Sequence, residues 1–346
     1  MPLNIRRILV AVADGTARRV TRRVCDLALK SDAQIELFSV VRPDSRVLGL
    51  PSATLVEINR AVADAREREL ETLARGLRRR GLNVECTVVT DDSLTDSITH
   101  RLQEAPADIV AIEAHKHHLV GRWFLLHSDY DLIRHCPVPL LIVKGVGRAS
   151  GRPILAAVDP WHRNDKPASL DRRIVDAART MAKLQHVSMH SVHAYEPLTG
   201  FVDGSAFAPV AIPISVSDDA LQTAMIRRRF KALNAAYRIA PRQSHLELGG
   251  PIFVLPAVAR SIKAQMVVMG AIARSALDRL LLGSTAEQVL DALPCDVLIV
   301  KPRTGGQRSA FPANVRRVRR GVRGIGEFRL PIRPRTPAVA RHSSGK

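Results

Sequence analysis

Short apolar runs alternate along this chain with longer segments in which apolar residues recur at helical spacing. Each run holds five to eight residues and is rich in Val, Ile and Leu. This alternation is typical of βαβ units, in which helices join parallel strands and cover the sheet. In the first half the pattern predicts five strands, at residues 8–13, 34–41, 83–89, 108–113 and 139–144.

The clearest predicted helix covers residues 54–80. The acidic residues Glu57 and Asp64 lie in its first half and three arginines, at 78–80, end it, which is the charge order that the helix dipole favours. Gly81 follows, and glycine ends helices readily because it adopts the left-handed conformation without strain. The charge order and the glycine therefore agree on where this helix stops.

The same order of elements returns in the second half, which indicates an internal repeat. Lys144 and Lys301 each end the last strand of a half and are 157 residues apart (301 − 144). The same offset places Glu113 on Gly270 without a gap. The repeat predicts two α/β domains, at residues 1–148 and 149–303. The second copy contributes strands at residues 153–158, 187–194, 244–248, 266–270 and 296–301.

The two copies differ in the middle, where the second has gained about eleven residues, chiefly in the stretch 198–217. The first strands are only 146 residues apart, so the insertion lies after them. Five large apolar residues make the stretch too apolar for a plain solvated linker. Two interpretations stay open: it covers its own domain, or it forms a lid over a pocket.

Composition supports the two-domain interpretation and moves most of the charge to one end. A chain of 346 residues suits two domains of about 150 residues each. Of the net charge of +19, the residues from Arg303 onward contribute 12 − 1 = +11, and the other 302 residues carry +8. This basic tail, residues 304–346, is predicted to be disordered. It is either a solvated extension or a segment that binds nucleic acid without sequence preference.

Cysteine usage and the N-terminus predict a reduced, cytoplasmic protein. The four cysteines form no CxxC pair and lie in or beside apolar segments, where they are expected to be small core residues. No apolar run approaches the length of a membrane span, and the N-terminus does not have the pattern of a secretion signal. No membrane association is expected.

No local motif points to an enzyme or to a metal site. The chain has no GxSxG elbow, no GxxxxGK[ST] loop and no catalytic-cysteine signature, so no catalytic residue is assigned, although weak ATP hydrolysis stays compatible with the sequence. His115, His117 and His118 form a short tract, but no cysteine pair or HExxH spacing completes a ligand set. No metal is expected.

The stretch from Gly270 to Ser284 carries a family resemblance. It reads Gly270-x2-Ala273-x9-Gly283-Ser284, within "MGAIARSALDRLLLGSTAEQ", and with the "AHKHH" segment of the first copy it resembles the universal stress protein family, most closely its tandem, E-type members. The resemblance covers nearly all of residues 5–303. It implies two doubly wound, Rossmann-like domains, each with a five-stranded parallel sheet of order 3-2-1-4-5. Nucleotide-binding members carry G-x2-G-x9-G-[S/T], and an aspartate that ends the first strand faces the adenosine.

Carried over to this chain, the family pattern predicts an ATP or adenine-nucleotide site in the second copy. Ala273 replaces the second glycine of the motif and constrains a backbone that should approach phosphates closely. The alternative is structural: the glycine permits a tight turn, and Ser284 or Thr285 caps a helix in a capping box with Glu287. The predicted site residues are Asp159, Gly270, Arg274, Gly283, Ser284 and Thr285.

The first copy departs further from the motif. At the equivalent positions it carries Glu113, Lys116, Leu126 and His127. A carboxylate repels a triphosphate, and a leucine in place of the helix-opening glycine blocks close backbone approach. The first copy is therefore expected to bind no ATP.

The resemblance implies a non-enzymatic role in surviving stress, including resistance to DNA-damaging agents, through binding of a small-molecule ligand or a protein partner. Two alternatives stay open: a nucleotide-free interaction protein that takes an apolar ligand or partner, and nucleic-acid binding through the basic tail. Domains of this family pair through their last strands. The two copies are expected to make that contact within one chain, which predicts a monomeric pseudo-dimer, with a homodimer as the alternative.

Overall fold

The structure, a computed structural model, describes residues 3–13, 18–42, 52–116, 123–144, 151–160, 169–196, 201–202, 210–211, 216–270 and 284–302. Several predicted features lie outside the described residues: Ala273, Arg274, Gly283, His117, His118 and the tail 304–346. Of the inserted stretch 198–217, the structure describes a short antiparallel pair of strands and the first two residues of a helix.

The first half contains the five predicted strands, with ends that differ from the prediction by at most two residues. The predicted helix at 54–80 is Ser52–Arg78, and Gly81 follows it with a left-handed φ of 85°. The amide of Leu82 donates to the carbonyl of Leu77 at 3.4 Å, which closes the helix in a Schellman motif. The elements are β1 (Arg7–Ala11), α1 (Arg18–Ser31), β2 (Gln34–Val41), α2 (Ser52–Arg78), β3 (Val84–Thr90), α3 (Leu94–Glu104), β4 (Ile109–Glu113), β5 (His115–Lys116), β6 (Trp123–Phe124), α4 (His127–His135) and β7 (Leu140–Val143).

The second half repeats this order, and its five predicted strands are also present. The elements are β8 (Ile154–Ala157), α5 (Ser169–Gln185), β9 (Met189–Tyr195), β10 (Phe201–Val202), β11 (Val210–Ala211), α6 (Val216–Ala236), a 3₁₀ turn (Pro241–Gln243), β12 (Ser244–Leu248), α7 (Pro251–Ser261), β13 (Met266–Gly270), α8 (Ser284–Ala292) and β14 (Asp296–Val300).

Ten of the strands form one sheet, in the order β12-β9-β8-β13-β14-β7-β4-β1-β2-β3. Read outward from its middle, each half has the order 5-4-1-2-3 of its own main strands, which confirms the predicted 3-2-1-4-5 topology. Neighbouring strands within each half are parallel. In such a sheet, ligands bind beyond the carboxyl ends of the strands, where the strand order reverses.

The two halves meet where β7 pairs antiparallel with β14, with Leu141 opposite Leu298. This confirms that the last strands of the copies pair with each other within one chain. Lys144, fully buried just after β7, donates from Nζ to the carbonyls of Leu290 and Leu293 at the end of α8, the latter at 3.3 Å. Lys301, the equivalent lysine of the second copy, makes the reciprocal contact: its Nζ donates to the carbonyl of Arg134 in α4 of the first copy at 2.7 Å.

Helices cover both faces of the sheet and enclose two aliphatic cores. Phe38 is the largest fully buried side chain. All four cysteines are free thiols; Cys25, Cys136 and Cys295 are buried, as expected, and Cys86 is half-buried. Burial raises the pKa of Cys136 to about 11 and that of Cys295 to about 12, so neither is an activated thiolate.

Candidate functional site

Two equivalent edges of the sheet are candidates for a site, one in each repeat. In the first repeat the carboxyl ends of β1 and β4 lie side by side, and in the second repeat those of β8 and β13 do. The strand register and the offset of 146 residues between the first strands make Ala13 the equivalent of Asp159 in the first repeat. The structurally equivalent position in the first repeat is therefore apolar.

In the first repeat, Glu113 at the end of β4 bonds the start of helix α1 at this edge. Its carboxylate accepts hydrogen bonds from the amides of Arg19 at 3.0 Å and Val20 at 2.9 Å, at the start of α1. The Nε of Arg19 also donates to Glu113, at 2.6 Å. Helix N-terminal amides are the groups that bind phosphate oxygens in doubly wound folds. Glu113 thus supplies from within the chain the negative charge that a phosphate would bring.

A second carboxylate closes the start of α4 in the same repeat. Asp129, which is buried, accepts a hydrogen bond from the amide of Leu126 at 2.8 Å. An acid in the first turn of a helix stabilises the positive end of its dipole and repels an external anion. The expectation that the first copy takes no ATP stays a prediction, and Asp129 adds a second physical reason for it.

The second repeat has neither carboxylate. Gly270 stands in place of Glu113, and Ala286 stands in place of Asp129, each 157 residues further along the chain (270 − 113 and 286 − 129). The helices that begin here, α5 and α8, therefore receive no acid from these two positions. Asp129 and Ala286 are site positions that the motif comparison missed, although the repeat offset of 157 was sufficient to find them.

Gly270 is a glycine for a packing reason. A Cβ at this position would lie 2.8 Å from Cδ2 of Leu170 and 3.2 Å from Cδ1 of Ile174, both on α5. Its φ lies outside the left-handed region, since among the described glycines only Gly81, Gly151 and Gly249 adopt a positive φ. The tight-turn interpretation of Gly270 therefore lacks support; close approach of α5 explains the residue.

Asp159 lies at the same edge, two residues beyond the end of β8. Its backbone amide donates to Oδ1 of Asp171 in α5 at 3.1 Å. Its own side chain is 15% exposed, and the side-chain Oδ1 is buried and accepts no hydrogen bond from the described residues. Nδ1 of His193 lies 4.0 Å from this oxygen and closer, at 3.0 Å, to the carbonyl of Val158. Asp159 thus presents an acceptor that a ligand could use.

Ser284 and Thr285 open α8, as predicted, and Gly270 and Asp159 lie at the carboxyl ends of neighbouring strands. Arg274 and Gly283 lie outside the described residues. The proposed capping-box partner, Glu287, is engaged elsewhere with one oxygen: Oε1 accepts from Nη2 of Arg134 in the first repeat at 2.7 Å. This oxygen of Glu287 therefore serves the contact between the repeats.

Two duplicated, doubly wound domains that share one sheet define a tandem α/β protein of the Rossmann-like class. A family model described as the universal stress protein family matches residues 4–144 and again residues 151–301. The chain belongs to that family and carries two copies of its domain.

Individual relatives agree with this assignment. The chain is similar to "Universal stress protein E" of Escherichia coli (strain K12) and of Salmonella typhi, each 28% identical over 279 residues that cover 78% of this chain and 82% of the relative. A solved structure of a functionally unknown protein from Pseudomonas aeruginosa PAO1 superposes with a TM-score of 0.67 at 25% identity, over 86% of this chain and 93% of that one.

None of the helices that the structure describes combines the length and apolar character that crossing a bilayer requires. Within the same described part of the chain, no three or more His, Cys, Asp or Glu side chains are grouped as a metal site would need.

Proposed function

We propose that this universal stress protein is a non-enzymatic stress-response factor whose second repeat binds an adenine nucleotide such as ATP. We expect the two repeats to form domains at residues 1–148 and 149–303, and the pairing of β7 with β14 supports a monomeric pseudo-dimer. Asp159, Gly270, Arg274, Gly283, Ser284 and Thr285 would line the nucleotide site.

One observation carries the proposal: the carboxylates that close two helix N-termini in the first repeat are replaced in the second by Gly270 and Ala286. A helix N-terminus carries about half a positive charge and attracts anionic oxygens. Removing two acids from this edge lowers the repulsion that a triphosphate would meet there, and the acids that remain in the first turns, Asp171 in α5 and Glu287 in α8, already bond the amide of Asp159 and the guanidinium of Arg134.

The opposite exchange at the first strand supports an adenosine on the same edge. Asp159 replaces Ala13 and brings a buried carboxylate oxygen that no described residue bonds. A hydroxyl or amino group of a nucleoside would donate to this oxygen, whereas a phosphate would be repelled by it. The proposed orientation therefore places the nucleoside at β8 and the phosphates at the start of α8.

Isothermal titration calorimetry with ATP and Mg²⁺ tests the proposal. We expect one site per chain. Ala286→Asp copies the acid of the first repeat into the second and should weaken ATP binding at least about tenfold, which corresponds to about 1.4 kcal/mol. Ala286 is only half-buried, so the substitution leaves the core intact.

Ala286→Asn is the matched control, because asparagine has the shape of aspartate without its charge and should retain ATP binding. Gly283→Leu, which copies Leu126 of the first repeat, should also abolish binding. Two ATP sites in the natural chain, or an affinity for ATP that Ala286→Asp leaves unchanged, would contradict the proposal.

A further inference from the structure

The first repeat has a cavity of about 670 Å³ at the edge where its own anion sites are closed. The cavity lies between the carboxyl ends of β1, β2 and β4 and the N-terminal half of α2. Pockets that bind small molecules in proteins measure about 300–1,000 Å³. The volume is thus sufficient for a molecule of nucleotide size, and the chemistry of the walls decides which molecule fits.

The walls of this cavity are aliphatic. Val12, Val20, Val40 and Ile112 line its interior at the strand ends and at the start of α1. Ala13, in the place that Asp159 occupies in the second repeat, lines it as well. A nucleoside would therefore find no carboxylate at the position that Asp159 holds in the second repeat.

The mouth of the cavity also exposes apolar side chains. Val62 on α2 is 48% exposed and Leu126, before α4, is 41% exposed, and both line the cavity. Covering these side chains and the aliphatic walls with an apolar ligand would remove their surface from water, which is the main favourable term in such binding.

Four of the five charged residues that line the cavity are paired within the chain, and the fifth, Arg42, is exposed just after β2. Glu113 and Asp129 both line it, and both carboxylates accept hydrogen bonds from helix N-terminal amides. Arg66, whose side chain is 8% exposed, donates from Nη1 to Glu69 at 2.6 Å. Three carboxylates against two guanidinium groups on the cavity surface disfavour an anionic ligand, and the amides of Arg19, Val20 and Leu126 are already bonded.

We infer that the first repeat binds an uncharged, predominantly apolar small molecule in this cavity. The two repeats then bind ligands of different chemical class at equivalent edges of one sheet. This inference goes beyond the proposed nucleotide site and does not depend on it, since it concerns residues of the other repeat.

Nile red, an uncharged dye whose fluorescence rises in apolar surroundings, is the probe for this cavity. We expect one saturable site per full-length chain. Ala65→Trp places an indole from α2 into the cavity, because Ala65 lines it, and should weaken dye binding at least tenfold. Ala61→Trp is the matched control: Ala61 is exposed on the same helix but does not line the cavity, so dye binding should be unchanged.

Leu126→Glu provides a second variant that does not rely on filling the cavity. It places a charge at the mouth from a side chain that is already 41% exposed, so the fold should persist while dye binding weakens. Saturating ATP and Mg²⁺ should leave the dye bound in the natural chain. Dye binding that neither Ala65→Trp nor Leu126→Glu weakens, or displacement of the dye by ATP in the Ala286→Asp chain, would overturn the inference. Loss of the calorimetric ATP signal with intact dye binding would count only against the nucleotide proposal.

Discussion

The two repeats share their strand order and differ in chemistry at three equivalent positions of the same sheet edge. The first carries Ala13, Glu113 and Asp129, and the second carries Asp159, Gly270 and Ala286. At these three positions the acid lies beside the helix N-termini in the first repeat and at the end of the first strand in the second.

This difference teaches that the helix amides at the carboxyl edge of a doubly wound sheet can be bonded in two ways, by an acid of the same chain or by an anionic ligand. In the first repeat the acids Glu113 and Asp129 bond the helix amides directly, so the edge is complete without a ligand. In the second repeat these two acids are absent, so an anion at this edge would come from outside, as the proposed nucleotide site requires.

The side chains at the contact between the repeats also differ: the first repeat supplies the donors and the second supplies the acids. Tyr130 in α4 donates to Asp291 in α8 at 3.0 Å, and Arg134 in α4 donates to Glu287 in α8 at 2.7 Å. The two contacts join equivalent positions, since Glu287 lies 157 residues after Tyr130 and Asp291 lies 157 after Arg134. Two copies of the second repeat placed in this arrangement would set Glu287 against Asp291. The acidic partners thus favour pairing with the first repeat.

The largest effect is expected from removing the internal anion of the first repeat. Glu113→Ala leaves two helix amides and Arg19 without their shared partner, because the carboxylate is 7% exposed and bonds all three. We expect the free energy of unfolding to fall by about 3 kcal/mol. Urea denaturation monitored by circular dichroism measures it.

Glu113→Gln is the control for this comparison. Glutamine retains an acceptor for the helix amides but removes the charge, so it should cost about half as much. An Ala variant as stable as the natural chain would mean that the carboxylate contributes nothing to the first repeat.

A smaller effect should appear as a pH dependence of the free energy of unfolding, caused by two buried lysines at the contact between the repeats. Burial lowers the pKa of Lys144 and of Lys301 from 10.5 to about 8. Between pH 8 and 9 the unfolded chain therefore binds more protons at these lysines than the folded chain, so the free energy of unfolding rises with pH. The rise for the two lysines together should be about 2 kcal/mol.

The cysteines limit how far that rise continues. Burial raises the pKa of Cys136 and Cys295 above their ordinary value of 9.0, so above about pH 9 the unfolded chain loses protons at these thiols and most of the further rise from the lysines is offset. Lys144→Met removes one titrating group and should remove about half of the rise, as measured by urea denaturation at pH 8 and pH 9. A rise that Lys144→Met leaves intact would assign it to other groups.

The alternation of apolar runs and helices was sufficient to predict the architecture. All ten main strands and the long helix α2 lie within two residues of their predicted ends. Buried parallel strands are continuous apolar runs, and the charged helices between them, such as α2 with Gly81 after its end, mark where each run stops. The constant offset of 157 from Glu113 to Lys144 reflects an unbroken match of β4, α4 and β7 with β13, α8 and β14.

The chemistry of the edge was predicted less completely, because it depends on which side chain reaches which helix. A glutamate at position 113 predicts repulsion of phosphate, but nothing local in the sequence indicates that its carboxylate bonds the amides of Arg19 and Val20, 94 and 93 residues away. The reason for a glycine at position 270 is likewise non-local, because the side chain of Leu170 in α5 occupies the space that a Cβ would need.

The smallest expected effect comes from reversing one charge at the join. Arg134→Glu places an acid opposite Glu287 and next to Asp131, with which Arg134 now pairs at 3.1 Å. Arg134 and Glu287 are 23% and 32% exposed, so solvent screens the pair and we expect a loss of only about 1 kcal/mol in the free energy of unfolding. Combining Arg134→Glu with Glu287→Arg should restore part of it in a double-mutant cycle, because the opposite charges face each other again. If the double variant is no more stable than the sum of the single changes predicts, Arg134 and Glu287 do not couple, and the preference of the second repeat for the first rests on other contacts, such as the hydrogen bond from Tyr130 to Asp291.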